Sequence, residues 1–237
     1  MRFIQKVLGH PYLWLHWVFF TELARFLLIF LARWRVEGRE NIPPMGPLLI
    51  VSNHLSYADP SLIATAVPRR IAFMAKAELY DKLVVGWLVR GYGSIRINRG
   101  KAQRQTMERV MGALGRDQAV SMFPEGTRSK GPMARARQGA AVVAMQSQAP
   151  ILPVGIIGAE NFLGWSSLFT RPSLTVRIGQ PFTLPQLQGN LDRAQIAAMS
   201  DMMMDRIAAL LPPEYRGYYA LRPPTRDAAV VSRASKA

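Results

Sequence analysis

Apolar and polar positions along the chain fall into two textures. From 12 to 32 the chain is apolar almost throughout, which predicts a long helix. A connector follows at 41–47, and its prolines (Pro43, Pro44 and Pro47) exclude a helix there. Short apolar runs at 48–51, 71–74 and 119–123 read as buried strands, 95–97 alternates like a strand, and 151–157 and 174–178 add two more. Between them, 79–89, 101–114, 138–146 and 191–211 carry helical spacing. Gly115 stops the second of these helices and Pro212-Pro213 the last. Strands interleaved with helices predict an α/β domain: a largely parallel central sheet flanked by helices. The expected organisation is an N-terminal helical segment over 1–37, the α/β domain over 38–211, and a basic tail over 212–237. The tail's small, polar composition from Pro223 on predicts disorder.

Charge changes the picture. The net charge is +15 while 49% of the residues are hydrophobic, a combination that points to anionic lipid rather than nucleic acid. No dense basic run with interleaved aromatics is present, so nucleic acid is not an expected partner. The absence of cysteine excludes disulfides, thiolate metal sites and a thiol nucleophile. Only His10, His16 and His54 could supply imidazole, so no metal site is expected.

The apolar run at 12–32 approaches the length of about 20 residues that spans a bilayer. Glu22 and Arg25 interrupt it at a spacing that lets them pair, and each would cost about 2.5–3.5 kcal/mol at the bilayer centre. Basic residues flank the run almost symmetrically: Arg2 and Lys6 before it, Arg33, Arg35 and Arg39 after it. Trp14, Trp17, Phe19, Phe20 and Trp34 suit the headgroup boundary. The expectation is one or two N-terminal helices lying in the membrane interface, with a single span or an ordinary buried helix as the alternatives. The protein is then membrane-associated, on the cytoplasmic face, with no cleavable signal peptide.

Four segments carry candidate chemistry. Asn53, His54 and Asp59 follow the first strand directly, where open α/β sheets build their sites. A carboxylate on one imidazole nitrogen raises the basicity of the other and makes a general base for an alcohol, worth about 10²–10⁴ in rate. An ordinary capped helix start fits the same residues about as well. The second strand-linked segment, 123–131, offers Gly126 and Gly131 for close backbone approach, hydroxyls at Thr127 and Ser129, and a planar fork at Arg128. It reads as a phosphate cradle or as a plain polar turn. The third, 93–99, reads as a strand with Arg96 and Arg99 on one face, or as a solvated edge strand with scattered charge. The fourth, 151–155, contains Pro153, which implies an edge strand or a bulge. There is no G-x-S-x-G elbow, since Gly164-Trp165-Ser166-Ser167-Leu168 fails at its last position, and no G-x-x-x-x-G-K-[ST] loop.

In this order and spacing the segments resemble the glycerolipid acyltransferases typified by 1-acyl-glycerol-3-phosphate acyltransferases. Asn53, His54 and Asp59 match the family's N-H-x-x-x-x-D box. Phe123, Pro124, Glu125, Gly126, Thr127, Arg128 and Ser129 match its F-P-E-G-T-R-S box without a substitution. The segment 93–99 is similar to its arginine-bearing box, with Asn98 where many members carry an acidic residue. Ile151 to Val154 looks like its proline-containing block. The resemblance covers 36–211 and implies direct acyl transfer from acyl-CoA or acyl-ACP to a lysophospholipid hydroxyl, with no cofactor and no acyl-enzyme. It implies His54 as base, Asp59 as its partner, and Arg96, Arg99, Glu125, Gly126, Thr127 and Arg128 as acceptor-binding residues. Backbone N–H groups near Gly126 are candidates for the oxyanion. Membrane phospholipid, a lysophospholipid acceptor and the acyl carrier are the expected partners.

Overall fold

The computed structural model describes residues 11–97, 103–129, 131–160, 162, 167–186 and 192–221. Its centre is a seven-stranded sheet. The strands in chain order are β1 (Arg33–Glu37), β2 (Leu48–Ser52), β3 (Ile71–Lys76), β4 (Ile95–Ile97), β5 (Ala119–Met122), β6 (Ile151–Ile157) and β7 (Ser173–Ile178). Their order across the sheet is β1-β7-β6-β2-β5-β3-β4. All neighbours are parallel except β6 and β7. The helices are α1 (Pro11–Leu31), α2 (Asp59–Ala66), α3 (Leu83–Gly91), α4 (Gln103–Leu114), α5 (Gly139–Ser147), the single turn α6 (Ser167–Thr170) and α7 (Arg193–Ala209).

The continuous apolar runs follow from burial on both faces of the sheet. Along β2, Leu48 and Ile50 join one core with Phe20 and Leu28 of α1, Leu62 and Ile63 of α2, and Phe73. Leu49 and Val51 join the other, with Val110 and Leu114 of α4, Val143 of α5, and Met199, Met203 and Ile207 of α7. The methionine-rich stretch of α7 is thus core packing.

Two boundaries differ from expectation, and Pro153 takes the bulge of its two expected settings. Residues 33–37 are not an extension of the N-terminal helix but an edge strand parallel to β7. Trp34 and Val36 pack on the core, while Glu37 accepts from Arg177 Nε at 2.8 Å across the strand pair. The described part of the expected tail, 212–221, folds onto the domain through two short 3-10 turns, Pro213–Tyr215 and Gly217–Tyr219, with Tyr219 buried. Pro153 lies on an interior strand, not an edge. Gly179 N–H donates to Pro153 O at 2.9 Å, and the next antiparallel bridge is Ile151 with Phe182. Two residues there oppose one, so the proline sits beside a bulge at the end of the β6–β7 ladder, where its missing donor is tolerated.

Candidate active site

The parallel pairing of β2 with β5 sets Val51 beside Met122. The loops leaving the carboxyl ends of these strands, 53–58 and 123–129, therefore meet although some seventy residues separate them in the chain. Asn53 anchors the first loop. Its buried side-chain amide donates to Ile156 O at 2.9 Å and accepts from Ile156 N–H at 2.8 Å, which continues the β2–β6 ladder by one rung.

Asp59 opens α2 and is fully buried. One of its oxygens, Oδ2, accepts from the N–H groups of Leu55 at 2.7 Å and Ser56 at 2.9 Å, and lies 2.7 Å from His54 Nδ1. The other, Oδ1, is buried without a hydrogen-bond partner among the described residues. Against an ionised carboxylate, which only accepts, Nδ1 is the donor, and in the neutral imidazole Nε2 then keeps its lone pair. The ring stacks on Phe123, centroids 4.0 Å apart and planes 17° from parallel, which fixes its orientation from the side of the second loop. The His54 side chain is 18% exposed, enough for a substrate hydroxyl to reach it.

The His54 backbone is clamped at both ends. Its N–H donates to Glu125 Oε1 at 3.0 Å, and its carbonyl accepts from Ser129 N–H at 2.8 Å. Glu125 does not face a substrate. It is 2% exposed, and its second oxygen accepts from Ala134 N–H at 2.8 Å. Burial pushes its carboxyl pKa up, and the N–H donors of Ala134 and His54 pull it back in part. Its acceptor-binding role is replaced by a structural one: it ties three loops together by satisfying two part-buried backbone donors.

Gly126 has φ +68° and donates its own N–H to Phe123 O at 3.0 Å, so that N–H is not available to an oxyanion. A Cβ there would lie 2.6 Å from Arg137 Cδ, so the glycine seats the Arg137 side chain across the turn. Thr127 and Arg128 are exposed. The Arg128 guanidinium lies 3.5 Å above the Tyr57 ring, which brings a fixed cation onto the loop between His54 and Asp59. His54, Asp59, Gly126, Thr127 and Arg128 are thus brought together.

Arg96 is placed elsewhere. It sits exposed on the opposite edge strand with its guanidinium 5.3 Å from the Tyr80 ring centre, about three strand spacings or 14 Å from β2. Strand β4 ends at Ile97. A spacing of three also puts Arg96 and Arg99 on opposite faces of any regular strand, contrary to the single face expected of them. Arg99 itself lies outside the described residues. Phe123, Ser129, Asn53 and Tyr57 all belong to the site; the sequence marked Phe123 and Asn53 as members of motifs and Ser129 as a cradle hydroxyl, and it did not mark Tyr57. No group of three or more His, Asp or Glu among the described residues is placed to hold a metal ion.

A buried carboxylate in contact with a reachable imidazole, beside an arginine-bearing turn at the carboxyl ends of a parallel sheet, is an arrangement chemically able to deprotonate a hydroxyl on an anionic substrate. A family model described as Acyltransferase matches residues 33–157, and the chain belongs to that family. It is an O-acyltransferase. It is 26% identical over 208 residues to the 1-acyl-sn-glycerol-3-phosphate acyltransferase of Streptococcus pneumoniae, covering 84% of this chain and 72% of that one. With the enzyme of that name from Bacillus subtilis the identity is 24% over 177 residues, 74% of this chain and 87% of that one. The human alpha enzyme of that name is 35% identical over 137 residues, 55% of this chain and 47% of that one. In fold the chain is similar to the crystal structure of the 1-acyl-sn-glycerophosphate acyltransferase of Thermotoga maritima, with a TM-score of 0.65 at 22% identity, covering 88% of this chain and 90% of that one.

Proposed function

We propose that the protein transfers a fatty acyl group from a thioester carrier, acyl-CoA or acyl-ACP, to the free hydroxyl of 1-acyl-glycerol-3-phosphate, giving phosphatidic acid. The observation that carries this is the 2.7 Å contact of Asp59 with His54 Nδ1, in a loop covered by Arg128. His54 Nε2 takes the proton as the acceptor oxygen attacks the thioester carbonyl. The tetrahedral intermediate collapses, the carbon–sulfur bond breaks, and the imidazolium returns its proton to the departing thiolate. Arg128 holds the acceptor's phosphate. The relatives named 1-acyl-sn-glycerol-3-phosphate acyltransferases support this acceptor. Purified protein with acyl-CoA and lysophosphatidic acid should release thiol only when acceptor is present, and His54→Ala should abolish the release. Release without acceptor, or a His54→Ala variant near the wild-type rate, would overturn the reading.

The same reading places the enzyme on the cytoplasmic membrane surface. No helix among the described residues is long and apolar enough to cross a membrane. Glu22 and Arg25 pair at 2.7 Å on the exposed side of α1, while Phe20, Leu28 and Ala32 are buried against the domain. That packing supports a helix lying in the interface over a single span. The outward face of α1 carries exposed Leu15, Phe19, Phe26, Leu27, Ile29 and Phe30, continued by Trp87 of α3. Phe19 meets Trp87 edge-on at 6.3 Å, so the patch is continuous. An exposed apolar surface of this kind beside a strongly basic chain suits an interface rich in anionic lipid.

A further inference from the structure

The segment after α7 forms a strap across the domain, and its contacts lead to His54. Met133 N–H donates to Tyr215 O at 2.8 Å, and Tyr218 N–H donates back to Met133 O at 3.1 Å. Gly217 lies between these bonds with φ +50°, where a Cβ would sit 2.3 Å from Met133 O, so no other residue fits without moving backbone. Tyr219 is buried. Its hydroxyl accepts from Ala136 N–H at 3.0 Å and donates to Asp201 Oδ1 of α7 at 3.3 Å. Tyr215 donates to Glu160 Oε1 at 2.7 Å and accepts from Gly158 N–H at 3.2 Å, which pins the strap to the end of β6.

The opposite edge of 133–137 faces the catalytic turn. Ala134 N–H donates to Glu125 Oε2 at 2.8 Å and Arg137 N–H to Pro124 O at 2.8 Å. The other oxygen of Glu125 holds the His54 N–H. Within this short segment, hydrogen bonds at 133 and 136 go to the strap, and those at 134 and 137 go to the Phe123–Ser129 turn. The segment behaves as a lath between the two.

We infer that the strap, through Gly217 and Tyr219, is a positioning element for catalysis. It sets the height of the 133–137 lath, the lath sets Glu125, and Glu125 sets the backbone of His54. None of these strap residues touches substrate. The inference rests on the proposed role of His54 as base.

The test uses the full chain. Tyr219→Phe keeps the ring and removes the hydroxyl. It should lower kcat about tenfold and leave both KM values within twofold, since an ångström of misplacement at a reacting group costs about a hundredfold. In a Glu125→Gln background the same change should add less than about twofold, because the two substitutions break one chain of contacts. Amide hydrogen exchange should speed up at His54, Ala134 and Ala136, and stay unchanged in β6. Gly217→Ala, which pushes on Met133 from the other side, should reproduce the pattern and serves if Tyr219→Phe does not fold. A kcat within twofold of wild type, losses that multiply in the double variant, or unchanged exchange at His54 would each overturn the inference. If the wild-type chain fails to transfer to lysophosphatidic acid, the proposed acceptor is wrong, and the exchange comparison still decides the strap.

Discussion

Replacing Asp59 by Asn isolates what its charge does. All three hydrogen bonds to this side chain converge on Oδ2: from Leu55 N–H, from Ser56 N–H and from the His54 ring. An Asn that puts its carbonyl oxygen at that position keeps all three bonds. Its NH₂ then takes the place of Oδ1, which is buried without a partner. The flipped amide would set NH₂ against two backbone donors, so the first orientation wins. Stability should fall by about 1–3 kcal/mol for the orphaned amide. The rate should fall further. When His54 accepts a proton, the imidazolium gains a carboxylate about 4 Å away between charge centres, worth about 4 kcal/mol at an effective dielectric of about 20. Asn supplies none of this, so kcat should drop about 10³-fold with KM nearly unchanged. The chain contains no cysteine, so a thiol-reactive dye reports released carrier thiol without background. A variant that folds and keeps more than a tenth of wild-type kcat would refute the reasoning, because the buried charge would then not be supporting the imidazolium.

Arg128→Ala should lower kcat/KM for a phosphate-bearing acceptor about 10–100-fold, with little effect on an uncharged monoacylglycerol; equal losses on both would remove Arg128 from the phosphate site. Glu125→Gln should destabilise the fold by about 1–3 kcal/mol, since an amide cannot accept at both of its positions. Burial raises the Glu125 pKa in the fold, so the native state holds the proton more tightly than the unfolded chain does. Wild-type stability from this group is full below the ordinary carboxylate range and is lost as pH rises through the raised value. The stability gap to Glu125→Gln, followed by urea unfolding from pH 4 upward, should therefore narrow with pH, and a widening gap would contradict the burial argument. Asn53→Ala should cost about 2–3 kcal/mol by leaving both polar groups of Ile156 unpaired, and a loss under 0.5 kcal/mol would show that the ladder extension is dispensable. Phe26→Ser with Phe30→Ser should weaken co-sedimentation with anionic vesicles at least tenfold without altering thermal stability, and unchanged binding would place the membrane contact elsewhere.

What the sequence made legible is what short-range geometry controls. His54 and Asp59 are five residues apart, and the short loop that leads to the first residue of α2 closes the contact; the spacing left a capped helix start equally open, and the pairing with the 123–129 segment pointed to the dyad. The strand cores were legible because burial on both faces leaves an unbroken apolar run. Strand β1 was hidden by its own charges: Arg33 and Arg35 alternate with Trp34 and Val36, a period of two that looks like the basic flank of a membrane helix when read by composition. The strap was hidden in the same way, since Tyr215, Tyr218 and Tyr219 follow a proline pair and precede a polar stretch.

Glu125 shows where residue type misleads. In a loop with hydroxyls and an arginine, a carboxylate reads as part of a substrate surface, yet this one is sealed between His54 N–H and Ala134 N–H. Nothing local distinguishes a carboxylate that faces solvent from one that satisfies buried backbone donors. The distinction is made by which loops the sheet order brings together, and β2 beside β5 is a fact of topology. The same argument separates Arg128 from Arg96. Both are arginines just past or within short strands, but one follows a central strand beside the base and the other lies on an edge strand stacked over Tyr80. Position across the sheet, which no window of sequence reports, decides which cation can reach an acceptor held at His54.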